Sequence, residues 1–231
     1  MSGRGAWLAS PWPSGRVAPR PIVVGRLRAG AAVVATLSTL LALYLGVVRP
    51  WNRHWGTIDA ELVRRMPGDE VVERPTYVTT RAVTIYAPPE AVWPWIAQMG
   101  ELPRAGFYTS EWMGRLLGLR VRNASRVLLE HQEVDVGQAL DRRGDLMVLA
   151  ADPNHYLVLG SPPGAREAAA TWSLTLYPTG TGATRLVSRV RARIESSLRR
   201  TLLVVVLDPA QFILERETLL GIKHRAERRP G

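Results

Sequence analysis

The sequence predicts an α+β protein in which a curved antiparallel sheet wraps around a long C-terminal helix, preceded by one N-terminal transmembrane helix. Three observations carry that prediction. A charge-free run, AGAAVVATLSTLLALYLGVV, occupies residues 29–48. From residue 79 onward, short alternating or apolar runs follow one another, separated by turn-forming links such as DPN, SPPG and PTGTG. Links that short between successive strands imply an antiparallel meander. Finally, an amphipathic run closes the chain from Asp208.

The bulk properties narrow the function. The chain has 231 residues and 46% hydrophobic content, enough for one packed domain plus an extension. It has no cysteine, which excludes disulfides, thiolate zinc sites, iron–sulfur clusters and thiol catalysis. The net charge of +10 divides into two halves: residues 1–28 hold five arginines and no acid, and the remainder holds 25 basic against 20 acidic groups. That second excess is spread thinly, with no nucleic-acid motif and no basic helix, so no nucleic-acid partner is expected.

Taken in order, residues 1–28 are a basic tail rich in Gly, Pro, Ser and Arg, expected to be disordered. The apolar run at 29–48 is long enough to cross a bilayer, since about 20 residues at a rise of 1.5 Å span roughly 30 Å. Tyr44 and Trp51 sit near one end, where amphipathic rings favour the interface. A cleaved signal peptide would carry a shorter apolar region, of roughly 7–15 residues, and a small-residue cleavage site. Here the run is longer and RPWNRHW follows. The reading is a single-pass anchor in the cell membrane, and the arginines before it favour an inner N-terminus. Residues 49–78 read as a connector with one short helix capped by Thr57, with Asp59 and Glu61 in its first turn and MPGDE (66–70) ending it.

The main domain is expected over 79–227, followed by a tail at 228–231. TTRAVTIYA (79–87) alternates as a strand, with Ala82 and Thr84 facing opposite Val83 and Ile85. Pro88 and Pro89 stop it and start a helix, Glu90 suits the first turn, and Val92, Trp95, Ile96 and Met99 share one face. Pro94 shortens or bends that helix and Gly100 ends it. A second helical piece is expected at 108–118, capped by Ser110. Strands follow at 137–143, 145–152, 155–161, 171–178 and 184–194. TLLVVVL (201–207) reads as a buried segment feeding a helix that starts at Asp208 and Pro209, with Phe212, Leu219, Ile222 and Ala226 on its apolar face. One helix covers a sheet incompletely unless the sheet wraps around it, a geometry that leaves an apolar cavity.

The stretch TTRAVTIYAPPEAVWPWIAQMG resembles the opening of the START-like superfamily, also called SRPBCC or polyketide cyclase/dehydrase and lipid-transport proteins. WGTIDAELVRRMPGDEVV, GFYTSEWMGRLLG and LDPAQFILERETLLGIKHRAE are similar to segments of a membrane-associated bacterial subgroup. The resemblance covers about residues 55–227. It implies a helix-grip fold with a deep pocket for a hydrophobic ligand, and it carries over no catalytic residue.

Several side chains invite a sharper reading. Trp93, Trp95, Trp112 and Trp172 could line a pocket or simply fill a core, with Trp112 and Trp172 the better candidates. Glu215 falls between Phe212 and Ile222 on the apolar face of the last helix, where a carboxylate needs a partner or a raised pKa. It could orient a ligand, act as an acid or base, or pair with a sheet arginine. Arg185, Arg189, Arg191 and Arg193 alternate along one strand, as on a solvated face, with Arg189 turned inward as the alternative. His54, His131, His155 and His224 lack metal-ligand spacing. The residues expected to touch ligand are Tyr108, Trp112, Trp172, Arg189, Phe212, Glu215 and Leu219. No catalytic residue, metal or cofactor is expected. The partners are the bilayer and a hydrophobic small molecule or lipid. The function is binding, with a cyclase/dehydratase-like reaction at Glu215, Tyr108 or Arg189 as the alternative.

Overall fold

In the computed structural model the described residues are 21–116, 118–162, 170–194 and 197–228. The expected tail at 1–20 and the last three residues lie outside them. Two compact units divide at Leu45 and Gly46.

The first unit is helical. Helix α1 spans Pro21–Leu43, so the expected disorder does not hold for residues 21–28. A π-helical turn at Tyr44–Val48 spans the division, and helix α2, Arg49–Arg53, belongs to the second unit. The stretch Gly30–Arg53 is a 24-residue helical run of mean hydropathy 2.2, long and apolar enough to cross a membrane. A signal sequence near an N-terminus meets the same measure.

The second unit holds one five-stranded antiparallel sheet. Its strands are β1 (Tyr77–Ile85), β2 (Met147–Asp152), β3 (Tyr156–Gly160), β4 (Ala170–Pro178) and β5 (Thr184–Ala192), in the spatial order β1-β5-β4-β3-β2. β1 and β5 pair from Tyr77↔Ala192 to Ile85↔Thr184 without a break. β2 pairs β3 with a shift between Val148 and Ala150. The strand expected at 137–143 is not formed. Gly137 has a φ of 89°, and only an isolated bridge, Ala139 to Met147, joins this segment to β2. A positive φ interrupts the extended path a strand needs.

The helices end where their side chains dictate. Helix α3, Asp59–Val63, begins one residue later than a Thr57 cap would require: Ile58 is the N-cap, and Glu61 accepts the Ile58 N–H at 3.0 Å. Helix α4, Pro89–Ala97, buries Val92, Trp93, Trp95 and Ile96, with Pro94 inside it. Helix α5 is Glu111–Leu116, and the Ser110 hydroxyl donates to Glu217 at 2.8 Å instead of capping it.

Helix α6, Leu198–Ala226, differs most from expectation. It runs straight through Asp208 and Pro209. Proline lacks the N–H that would bond back four residues, and the helix tolerates the single lost bond. The Asp208 carboxylate is engaged elsewhere, accepting from Arg49 and from the Tyr77 hydroxyl at 2.7 Å. Val206 and Leu207, at the end of the expected buried segment, stand exposed.

One face of the sheet packs against α4 and α6, with Ile85, Leu157, Leu159, Leu174, Leu186, Leu219 and Ile222 in the core. The opposite face is not solvated. Residues 55–74 cross it as a strap, and the strand arginines hold them down. Arg185 reaches Glu61 at 2.7 Å, Arg189 reaches Asp69 at 2.8 Å, Arg191 donates to the Val72 carbonyl at 2.9 Å and Arg193 to that of Arg74 at 3.3 Å. A small apolar patch of Met66, Ala82 and Val187 lies between them.

Candidate functional site

A cavity of about 370 Å³ opens between the sheet and α6. Its walls come from three places. Trp172 and Val190 project from β4 and β5, Leu214, Glu215 and Thr218 from α6, and Phe107 and Leu119 from the segment around α5. Sheet alternation explains the first pair, because Trp172↔Val190 are direct neighbours in the register and therefore point to the same face. Helical spacing explains the second, since 214, 215 and 218 share one side of α6. Phe107 and Trp172 meet with ring centroids 6.3 Å apart. The volume lies within the range usual for small-molecule pockets, and the walls are mainly apolar.

One side of this cavity is polar and fully engaged. Glu215 is buried, and burial pushes its carboxyl up from the ordinary carboxylate value, while the Arg81 guanidinium and three donated hydrogen bonds pull it back. Those donors are Arg81 Nη1, the Gln211 amide and Ser188 Oγ, the last at 2.6 Å. Trp172 Nε1 in turn donates to Ser188 Oγ at 2.9 Å, which fixes the indole at the cavity wall. Arg81, 1% exposed, also donates through Nε to the Asn52 carbonyl at 2.8 Å. Its guanidinium lies 5.4 Å from the Phe212 ring centroid. The partners of this buried pair offset the desolvation penalty that an isolated ion would meet in full.

The structure brings two of the seven expected contact residues to the cavity, Trp172 and Glu215. The others stand elsewhere. Trp112 is 61% exposed on α5. Arg189 lies on the opposite face of the sheet, bonded to the strap through Asp69 and the Glu61 carbonyl and to Thr80. Phe212 packs edge-on against Trp51 and Trp55, at centroid distances of 5.7 and 6.3 Å. Leu219 lies in the core. Tyr108 is buried beside the cavity rather than in it. Its backbone takes a φ of 61°, its hydroxyl donates to the Trp95 carbonyl at 2.8 Å, and Gln98 donates to that hydroxyl at 3.0 Å. Burial holds the Tyr108 hydroxyl well above the usual phenol range.

Sequence reasoning overlooked Arg81, Ser188, Gln211 and Phe107. Arg81 had a signal. It shares strand parity with Val83 and Ile85, so it carries a charge onto the apolar face, as Glu215 does on α6. Two opposite charges on facing apolar surfaces predict each other. Phe107 had none, because it lies between elements.

The sheet curls over one long helix that closes its face. The fold is a helix grip. This is the architecture the START-like resemblance implied. No protein-family model matches the chain, and no curated protein matches it. Among solved structures, the chain is similar to a protein from Chromobacterium violaceum, at 15% identity and a TM-score of 0.40, covering 66% of this chain and 98% of that one. It is similar to the Zhui aromatase/cyclase from Streptomyces sp. R1128 at 14% identity and a TM-score of 0.37, covering 66% and 94%. An Hsp90 activator from Plasmodium falciparum gives 16% identity and a TM-score of 0.34, covering 62% and 96%. With TM-scores below 0.5, these likenesses bear no weight for function.

Proposed function

We propose that the helix-grip domain binds a hydrophobic small molecule or lipid, and that the apolar run at 30–53 anchors it to a membrane. The observation that carries this reading is the cavity of about 370 Å³ between sheet and α6, walled by Phe107, Leu119, Leu146, Trp172, Val190 and Leu214. An apolar hollow of that size favours a ligand that gains from leaving water, at roughly 25 cal/mol per Å² of apolar surface buried. The anchor supports it, since such a ligand is concentrated in the bilayer. The bilayer is therefore the first partner and the greasy ligand the second.

The alternative is a cyclase/dehydratase-like reaction in the same cavity. Its one support is that Glu215, a carboxyl raised by burial, borders the hollow. The binding reading is stronger because Arg81, Ser188 and Gln211 already occupy that carboxylate. A general base must be free to take a proton from its substrate.

The test is native mass spectrometry of the full chain, purified gently in mild detergent from the host, with solvent extraction of whatever it carries. The expected result is a stoichiometric apolar molecule that is lost when Leu214→Trp fills the cavity. Identical extracts from the wild type and that variant would sink the reading.

A further inference from the structure

Beside the cavity lies a second hollow of a different chemistry. It is about 730 Å³ and is lined by Arg115, Arg120, Arg122 and Arg142 together with Leu102 and Leu119. Leu119 lines both hollows, so they adjoin across one side chain. The two arginine-bearing segments, 115–122 and 142–143, also converge. A Cβ on Gly118 would lie 3.9 Å from Arg143 Nη2, and Leu102 donates its N–H to the Arg120 carbonyl at 2.9 Å. Asp141, the residue before Arg142, lies on the wall of the apolar cavity itself.

These arginines differ from the partnered ones that tie the domain together. Arg49, Arg81, Arg185, Arg189 and Arg191 all hold carboxylates. Arg104 and Arg225 hold backbone carbonyls, Arg104 that of Met99 at 2.7 Å and Arg225 that of Ala124 at 2.9 Å. Among the described residues the guanidinium groups of Arg115, Arg120, Arg122, Arg142 and Arg143 hold no protein partner, and all five residues are exposed to solvent. The nearby acids, Glu101, Glu111, Asp141 and Asp145, are one fewer than these five arginines. Glu111 lines the same hollow and accepts the Asn123 N–H at 2.9 Å, Asp141 accepts the Leu146 N–H at 3.0 Å, and Glu101 accepts the N–H of Arg142 at 3.4 Å. Planar guanidiniums with free donor edges recognise carboxylates and phosphates in a bidentate way.

From this juxtaposition we infer that the ligand is an anionic amphiphile, whose chain fills the cavity beneath Trp172 and whose carboxylate or phosphate head is held by Arg120, Arg122 and Arg142 across Leu119. The inference rests on the binding reading above and specifies the ligand class for that site. Lipid-borne and free anions share this head chemistry, and the experiment separates them.

The full chain is reconstituted in phosphatidylcholine nanodiscs, with empty discs as the control for partitioning. Binding of decyl phosphate, decanoate, decanol and inorganic phosphate is measured by calorimetry. The expected result is that decyl phosphate and decanoate bind about tenfold or more tightly than decanol, with inorganic phosphate much weaker than either. In Arg120→Gln/Arg142→Gln that preference collapses towards parity while decanol binding is unchanged, and in the wild type it shrinks as salt is raised. Both residues are exposed, so the variant keeps the fold. Equal affinity of anionic and neutral chains in the wild type overturns the head-group site and leaves the cavity reading intact. Loss of binding by all three chains overturns both. Inorganic phosphate binding as tightly as decyl phosphate also overturns the inference, by making the rim a free-anion site unconnected to the cavity.

Discussion

Arg81 and Glu215 show how much depends on single side chains here. Each is buried, and each has the other as its charged partner. Arg81→Met leaves the Glu215 carboxylate unpaired in the core, at a cost on the order of 3–5 kcal/mol. Arg81→Met/Glu215→Leu removes both charges and should lose clearly less than the two single variants added together. Urea unfolding of residues 46–231 measures all four corners of that cycle; strict additivity would show that the pair is not coupled. The position of Glu215 was legible from helical spacing, and pairing with a sheet arginine was among its readings. Which arginine was not legible. Strand β5 has apolar residues on both faces, with Leu186 and Val190 on one and Val187 on the other, so its pattern could not say which way Arg189 points. The strap decides that, by offering Asp69 on the far side.

Among the elements, the strap is the part that sequence patterning described least well. Its residues were readable as a connector, but a connector's path over a sheet leaves no periodic signal. Two predictions belong to it. Gly68 has a φ of 88°, and a Cβ there would lie 2.6 Å from Val158 Cγ1. Gly68→Ala should therefore cost more than about 1 kcal/mol, seen as a lower urea midpoint, whereas Gly180→Ala, in open space, should cost little. The second concerns pH. Burial alone would raise the Glu61 carboxyl, but the hydrogen bonds from Arg185 and the Ile58 N–H outweigh it and hold the group below its ordinary value of 4.5. A carboxyl depressed by folding stabilises the fold at pH above its unfolded value and loses that contribution as pH falls through its folded value. The stability gap between wild type and Glu61→Gln should be constant near neutrality and narrow below about pH 4.5. A gap that widens on acidification would contradict the sign. The start of α6 teaches a related point: Asp208-Pro209 has the chemistry of a helix start, yet Arg49, Arg53 and Tyr77 claim the aspartate and the helix passes through.

For the second unit as a whole, the architecture was largely legible. Four of the five late strands, the proline-opened helix and the long closing helix follow from alternation, turn residues and helical spacing. The cavity was legible as a consequence of one helix under a curled sheet, but its lining was not, because Phe107 and Leu119 come from irregular chain. The structure also sets where this unit begins. Ala82 donates its N–H to the Trp55 carbonyl at 3.1 Å, Arg81 uses the Asn52 carbonyl, and Arg49 uses Asp208. A truncation to residues 46–231 should fold cooperatively, while one to 57–231 loses these three contacts and should be weaker by several kcal/mol. Coincident urea curves for the two would show that residues 46–56 belong to the anchor alone.

The three-donor arrangement around the buried carboxylate has a bearing on descent. Arg81, Ser188, Gln211 and Glu215 come from two strands and one helix, and Trp172 joins them through Ser188. No one of them can drift alone, because each single replacement strands the others' hydrogen bonds in the core. Over evolutionary time such a set is inherited or abandoned as a block. Lineages that keep the carboxylate should keep the arginine, and lineages that lose one should show an apolar residue at both positions, whatever has become of the ligand.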